Sequence, residues 1–241
     1  MKGYEKIMPK KIGIVGAMEQ EIELLRSMLE DVNIKNAAGS EFIQGRLYDR
    51  DVVLVRCGVG KVNAAVCTQA LLDLCGADYI VNTGVAGGIA RGVGLGDVVI
   101  TTDFVQHDFD CVGAGYAAGV IPGDKPGFYK ADGALAARAA AACDAVFPES
   151  KVHTGLIATG DRFVTSSEAV RSLRESYNPL CVDMETAAIA QTCALNGVPF
   201  VAVRSISDNA DEEAGMTFEQ YLKLAAEESC RVVCQMVKDL E

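Results

Sequence analysis

Three runs constrain this chain most: KIGIVGAM (11–18), ADYIVNTGVAGG (77–88) and PFVAVRSISD (199–208). Each is dense in β-branched and small apolar residues, which reads as a strand buried within a sheet. Helical spacing separates them. EQEIELLRSMLED carries an apolar stripe at 22, 25, 29 and 32, residues 61–75 and the alanine-rich 132–147 read as helices, and so does ETAAIAQTCAL. A long last helix is striped at 218, 222, 225, 232, 236 and 240. SEFIQGRLYDRDVVLVRCG (40–58) alternates and breaks at Tyr48-Asp49-Arg50-Asp51, as a hairpin does. GDVVITTDFV (96–105), HTGLIATGDRFV (153–164) and PLCV add strands. Thr165 with Glu168, and Thr217 with Gln220, have capping-box spacing. Strands alternate with helices and no linker or repeat interrupts them. The expectation is one α/β domain over 11–241 behind a flexible extension over 1–10, with a mostly parallel sheet covered on both faces.

Composition narrows the function classes. The 241 residues carry a formal charge of −11, the wrong sign for a nucleic-acid binder, which needs a basic face. A nucleoside without phosphate remains compatible. Nine cysteines, odd in number and lacking any C-x-x-C, read as reduced thiols of a cytoplasmic protein. His107 and His153 are too few for a zinc site. MKGYEKIMPKK lacks the apolar core of a secretory leader. No apolar run reaches the roughly 20 residues of a membrane span.

In such sheets ligands bind outside the carboxyl ends of the strands. Here those ends read GAMEQE, NTGVAGG, ATGDRFV, VDMET and SISDNA, and four of the five carry a carboxylate. Nucleotide motifs fail. Gly58-Val-Gly60-Lys61-Val62 has Val where a phosphate loop needs Ser or Thr, and Gly84-Val-Ala-Gly87-Gly88 lacks the second glycine of a dinucleotide turn. Each acid alone has a structural reading. Glu19, Glu21 and Glu23 compensate a helix dipole or face solvent, Asp161 and Asp208 cap helices, and Asp183 and Glu185 start one. Phe163 alone reads as core. Met184 lies between two acids, so strand alternation argues against a wholly core role. Taken jointly, acids converging at strand ends without a cationic cluster suit chemistry that develops positive charge. Glycosidic cleavage does so: one acid protonates the leaving group and a carboxylate activates water. Residues 106–131 show no period, as functional loops often do not.

The set GIVGAMEQEIELL, GVGKVNAA, NTGVAGG, TGDRFV, VDMETAAIA and VRSISDNAD resembles the 5′-methylthioadenosine/S-adenosylhomocysteine nucleosidases of the nucleoside phosphorylase superfamily, in family order from about Lys11 to the last helix. The resemblance implies a central mixed β-sheet, partly barrel-like, flanked by helices, with no cofactor. Asp208, helped by Ser207, would protonate the five-membered-ring nitrogen of adenine, and Glu21 would position and activate water. Glu185 would accept the ribose diol, Met184 would pack under the sugar, Phe163 would stack on adenine and the Val164 backbone would read its edge. Ala17, Met18, Ala86, Gly87 and Arg204 would complete the pocket around sugar and water. A homodimer with shared sites is implied, Val59 and Pro122 coming from the partner subunit. Asp183 keeps the structural reading. Val85 stands where many relatives carry Ser, Ala114 where some have an aromatic, and Asp183 where Glu is common. The alternatives are a phosphate-dependent phosphorylase, a futalosine-type nucleosidase and a non-catalytic nucleoside-binding module.

Overall fold

The structure, a computed structural model, describes residues 10–123, 129–147, 152–210 and 214–239. The expected N-terminal extension lies, up to residue 9, outside the described residues. Strand β1 (Ile12–Gly16) leads through a 3-10 turn (Glu19–Glu21) into α1 (Glu23–Met28). There follow β2 (Glu30–Ala37), β3 (Ser40–Leu47), β4 (Arg50–Arg56), α2 (Lys61–Cys75), β5 (Tyr79–Gly88) and β6 (Val98–Gln106). A 3-10 turn (Val112–Ala114), β7 (Tyr129–Lys130), α3 (Gly133–Val146), β8 (Val152–Thr159) and α4 (Ser167–Tyr177) come next. The chain closes with β9 (Cys181–Asp183), α5 (Thr186–Asn196), β10 (Phe200–Asp208) and α6 (Ala214–Lys238).

The sheet runs β10-β6-β8-β9-β5-β1-β4-β3-β2, and a further β10–β5 pairing closes its first part into a ring. The expectation of a mostly parallel sheet is corrected to a mixed one, as the family resemblance implied. β1–β4, β1–β5, β5–β10, β6–β8 and β8–β9 are parallel. β6–β10, β5–β9, β6–β7 and the β2–β3–β4 meander are antiparallel. One cause lies between β5 and β6: residues 89–97 hold no helix, so β6 is not delivered by the helical crossover that parallel neighbours need.

Side-chain alternation splits the core as a two-face covering requires. Ile12 and Ile14 pack with Leu135 of α3 and Val233 of α6, while Val15 and Val55 pack with Leu71 of α2 and Ile189 of α5. All nine cysteines are free. Burial pushes the thiols of Cys57, Cys67, Cys143, Cys181, Cys193, Cys230 and Cys234 up, so they stay neutral and act as small apolar groups.

Three local expectations need correction. The first helix stops at Met28, and Leu29 is already extended, so Leu29 and Val32 leave the expected stripe. The segment after it is an edge strand, β2, whose Ile34 pairs with Ile43 of β3. Both faces of β2 are exposed, and its apolar alternation is confined to Val32 and Ile34, too short to be read as a strand. Helix α4 is capped by Ser166, whose Oγ accepts from Ala169 N at 3.2 Å, one residue later than the Thr165 box. Helix α6 already includes Thr217, which therefore does not cap it, and residue 240 of its stripe lies outside the described residues. Helix α3 is capped by Asp132, whose Oδ1 accepts from Ala134 N at 3.0 Å and Leu135 N at 2.9 Å.

Candidate active site

The site begins where the sheet forks. One edge of β5 pairs with β10 from Ile80 to Gly87. Its other edge pairs with β1 only from Tyr79 to Asn82, and with β9 only at Gly87 and Gly88. Between these partners the edge is open, and a side chain fills it. Glu21 Oε1 accepts the Val85 N–H at 3.0 Å, while Oε2 accepts the N–H groups of Ala17 at 2.6 Å and Met18 at 2.9 Å. The carboxylate thus ties the end of β1 to the open edge of β5. Burial pushes its pKa above the usual range; the Arg204 guanidinium and these N–H groups pull it down. Glu19 and Glu23 are exposed, and Glu19 pairs with Arg26 at 3.3 Å on the surface, as their structural reading expects. Gly84 lies beside this clamp. A Cβ there would overlap Arg204 Nη1 and Glu21 Oε1, so only glycine fits.

The turn from β9 into α5 carries the two other acids. Asp183 accepts Thr186 N at 3.0 Å, at the start of α5, and its Oδ1 accepts Thr159 Oγ1 at 2.5 Å. Its Oδ2 pairs with Arg204 Nη2 at 2.7 Å. Glu185 is buried and uses Oε1 to accept the N–H of Gly60, at the start of α2, at 2.8 Å. Helix α2 has no side-chain cap of its own at Gly60, so its partial positive end faces Glu185 and Asp161. Burial and then the Asp183 charge push the Glu185 pKa well above the usual carboxylate range. Asp161 is exposed and accepts Lys61 N at 2.7 Å; it completes the α2 start and does not line the cavity described below.

The fourth acid ends β10. Asp208 is 2% exposed, with Oδ2 at 2.9 Å from the Ser207 hydroxyl that donates to it and Oδ1 accepting Ala210 N at 2.8 Å. Gly87 lets it approach: a Cβ there would lie 2.9 Å from Asp208 Oδ1.

These ends surround one cavity of about 260 Å³. Ala17, Met18, Glu21, Ala86, Gly87, Phe163, Met184, Glu185, Ser207 and Asp208, all expected from sequence, line it. Two residues expected from this chain do not. Arg204 is 1% exposed and lies behind the wall, its Nη2 donating to Asp183, to Asn82 at 2.6 Å and to Thr186 at 2.6 Å. Pocket completion by Arg204 is therefore corrected to support of the acids that do line the cavity. Val164 lines a small side cavity that shares Phe163, Met184 and Asp208. Pro122, expected from a partner subunit, is exposed on the loop after β6 and does not line the cavity of its own chain. Val59, expected from a partner, lines the cavity of its own chain. The reason is register: it follows β4, which runs parallel to β1, so both carboxyl ends open on the same space.

Val85, Val182, Asp183 and Phe218 also line the cavity, and sequence reasoning did not place them there. Phe218 meets Phe163 edge-on, ring centroids 5.4 Å apart at 65°. Its signal was present in the α6 stripe but read only as packing. Val85 uses its N–H for Glu21 while its side chain packs on Ala225 and Ala226, so an apolar residue here leaves the clamp intact. Ala114 is exposed and does not line the cavity. Among the described residues no group of three or more His, Cys, Asp or Glu side chains is arranged to hold a metal ion, and no helix is long and apolar enough to cross a membrane.

Comparison with known proteins agrees with this arrangement. The family described as the phosphorylase superfamily matches residues 11–238. A 5′-methylthioadenosine/S-adenosylhomocysteine nucleosidase of Geobacillus kaustophilus is 46% identical over 231 residues, covering 94% of this chain and 96% of the relative. The crystal structure of the nucleosidase of that name from Neisseria meningitidis, in complex with methylthio-immucillin-A, superposes with a TM-score of 0.93 at 44% identity, covering 96% of this chain and all of the other. A futalosine hydrolase of Helicobacter pylori superposes at 0.92 with 32% identity, over 97% of this chain and 99% of that one. With its forked sheet and its acids gathered at the strand ends, the chain belongs to the phosphorylase superfamily and, within it, to the 5′-methylthioadenosine/S-adenosylhomocysteine nucleosidases.

Proposed function

We propose that this cavity hydrolyses the N-glycosidic bond of 5′-methylthioadenosine and S-adenosylhomocysteine, with Asp208 as general acid and Glu21 as the residue that activates water. One observation carries the assignment of roles: four buried acids, Glu21, Asp183, Glu185 and Asp208, meet on a cavity whose described lining holds no Lys, Arg or His, and Asp183 alone of them is taken up by an ion pair with Arg204. Loss of adenine leaves an oxocarbenium-like sugar, and a lining of acids stabilises that developing positive charge. Asp208 gives its proton to the five-membered-ring nitrogen of adenine, and the Ser207 hydroxyl orients it. Adenine then leaves as a neutral base. Glu21 is fixed by three main-chain donors, two on Oε2 and one on Oε1, which leaves one lone pair, on Oε1, to receive a water proton. Glu185 commits one oxygen to Gly60 N–H and presents its other to the ribose diol. Met184 forms the sugar floor, Phe163 stacks on adenine, and the Val164 backbone reads the edge of the base.

A phosphorylase would need to seat phosphate against Glu21, which repels it. The futalosine-type reading has the Helicobacter pylori relative behind it and differs only in the 5′ tail. The test is product analysis with methylthioadenosine, S-adenosylhomocysteine, inosine and aminofutalosine, with and without phosphate. Adenine release from the first two, independent of phosphate, is expected. Asp208→Asn and Glu21→Gln each abolish it; near-normal turnover in both variants refutes the assignment. Nucleoside binding without product would mark a binding module.

The catalytic unit is 11–241, it acts in the cytoplasm as a homodimer, and its thioribosyl product feeds methionine salvage. Support for the dimer is exposed apolar side chains on two helices that pack together: Val62 and Val66 of α2 are 73% and 50% exposed and Leu195 of α5 is 72% exposed, while Val59, just before α2, is 47% exposed. The partner's loop, through Pro122, would cover the 5′ tail. Sedimentation equilibrium of the parent and of Val66→Asp tests this: a monomeric parent excludes the dimer.

A further inference from the structure

Two adjacent side chains of α6, Ser229 and Cys230, are fully buried, and neither lines the cavity. Both end on the Glu21 clamp. Ser229 Oγ accepts the Gly84 N–H at 3.0 Å and donates to the Val203 carbonyl at 3.1 Å. Its one proton is then used, so Thr83 Oγ1, 2.7 Å away, must be the donor in their contact. Cys230 Sγ donates to the main-chain carbonyl of Glu21 at 2.8 Å.

The placement of these bonds is selective. Gly84 precedes Val85, whose N–H holds Glu21 Oε1. Val203 precedes Arg204, whose guanidinium approaches the same carboxylate across Gly84. One turn of α6 therefore fixes a donor of the clamp, the carboxylate's own main chain and the nearby cation. The surrounding face of α6 is apolar, with Ala225, Ala226, Val232 and Val233 buried, and a hydroxyl there is costly unless bonded. Helix packing alone would be served by alanine at 229.

We propose that Ser229 is a positioning residue for water activation, backed by Cys230, which ties α6 to the Glu21 clamp without touching substrate. The proposal rests on reading Glu21 as the group that activates water. Misplacement of a reacting group by about 1 Å costs on the order of a hundredfold in rate. Glu21 acts on water, whereas base and sugar are held by other residues. The loss should therefore fall on kcat and spare binding.

The experiment measures kcat and KM for methylthioadenosine, and adenine affinity, in Ser229→Ala and in the near-isosteric Ser229→Cys, beside Glu21→Gln. Expected is a kcat lowered by about ten- to a hundredfold in both Ser229 variants, with KM and adenine affinity within about threefold of the parent. A merely structural residue would lower thermal stability and leave the kcat of the folded fraction unchanged. A kcat within about threefold of the parent in the folded variants overturns the proposal, and so does a loss carried equally by KM. If Glu21→Gln itself turns over normally, the reading of Glu21 has failed, and that outcome is separate from the behaviour of Ser229.

Discussion

Asp183 and Glu185 are two residues apart and both buried, yet their amides should have opposite phenotypes. Asp183 forms an ion pair with Arg204 at 2.7 Å, with side chains 2% and 1% exposed. Asp183→Asn leaves the guanidinium buried without its counter-charge. Removing one partner of a buried pair costs about 3–5 kcal/mol. Asn82 and Thr186 still accept from Arg204, which argues for the lower end. At roughly 2–4 °C per kcal/mol for a chain of this size, a 3 kcal/mol loss is a drop in Tm of about 6–12 °C. Glu185→Gln removes an acid whose neutral form burial already favours, and its amide oxygen still accepts from Gly60 N–H. Its pKa is raised on folding, so the native state binds more protons than the unfolded chain between the two pKa values. The stability this gives is whole below the ordinary glutamate pKa of about 4.3 and is lost as pH rises through the folded-state value. The Gln variant escapes that loss. It should gain on the parent in Tm from pH 5 upward while losing diol binding, with kcat/KM down about tenfold or more, because an NH2 would face the ribose hydroxyls where a carboxyl oxygen accepted. Thermal denaturation from pH 5 to 9, paired with adenine-release kinetics, reads both effects. A Tm for Asp183→Asn within about 2 °C of the parent would refute the buried-pair reasoning. A fall in Tm for Glu185→Gln at pH 8 would refute the account of Glu185.

The remaining expectations are independent of that pair. Gly84→Ala should lower both Tm and kcat, because the new methyl meets Arg204 Nη1 and Glu21 Oε1; parent-like kinetics would show that the clamp can yield. Asp132→Ala should lose about 1 kcal/mol in urea denaturation through the lost α3 cap, with kcat and KM unchanged. Phe218→Ala should raise KM several-fold by opening the aromatic wall beside Phe163, read from initial rates with methylthioadenosine. The acid limb of the parent's kcat/KM profile should lie above the usual glutamate range, since burial raises Glu21 and Glu185 together; a limb near pH 4 would contradict both shifts.

Much of this was legible in the sequence because strands buried on both faces announce themselves. IGIVG and FVAVRSISD needed no partner to be read as strands, and the acids at their ends pointed to the cavity. β2 was not legible, since EDVNIKNA is exposed up to Ala37 and takes its conformation from pairing with β3. The direction of β6 was equally hidden, because it depends on where the chain returns after β5. Phe218 was read as a stripe residue, and only the approach of Phe163 from another part of the chain turns it into a wall. Arg204 was expected in the cavity only because the family resemblance implied it. Its side chain is buried behind the cavity wall, where it ends on Asp183.

The edge of β5 that β1 abandons has a consequence for which side chains position 21 can accept. All three groups that meet its oxygens there are N–H donors, two on one oxygen and one on the other. An amide cannot answer them, because either orientation sets an NH2 against an N–H. An aspartate is one methylene too short to span from the turn to the open edge. In effect the ladder of the sheet contains a rung made by a side chain, and that rung must be an anion with two acceptors. Architecture alone would keep a glutamate at this place, so the group the chemistry uses is one the fold already demands.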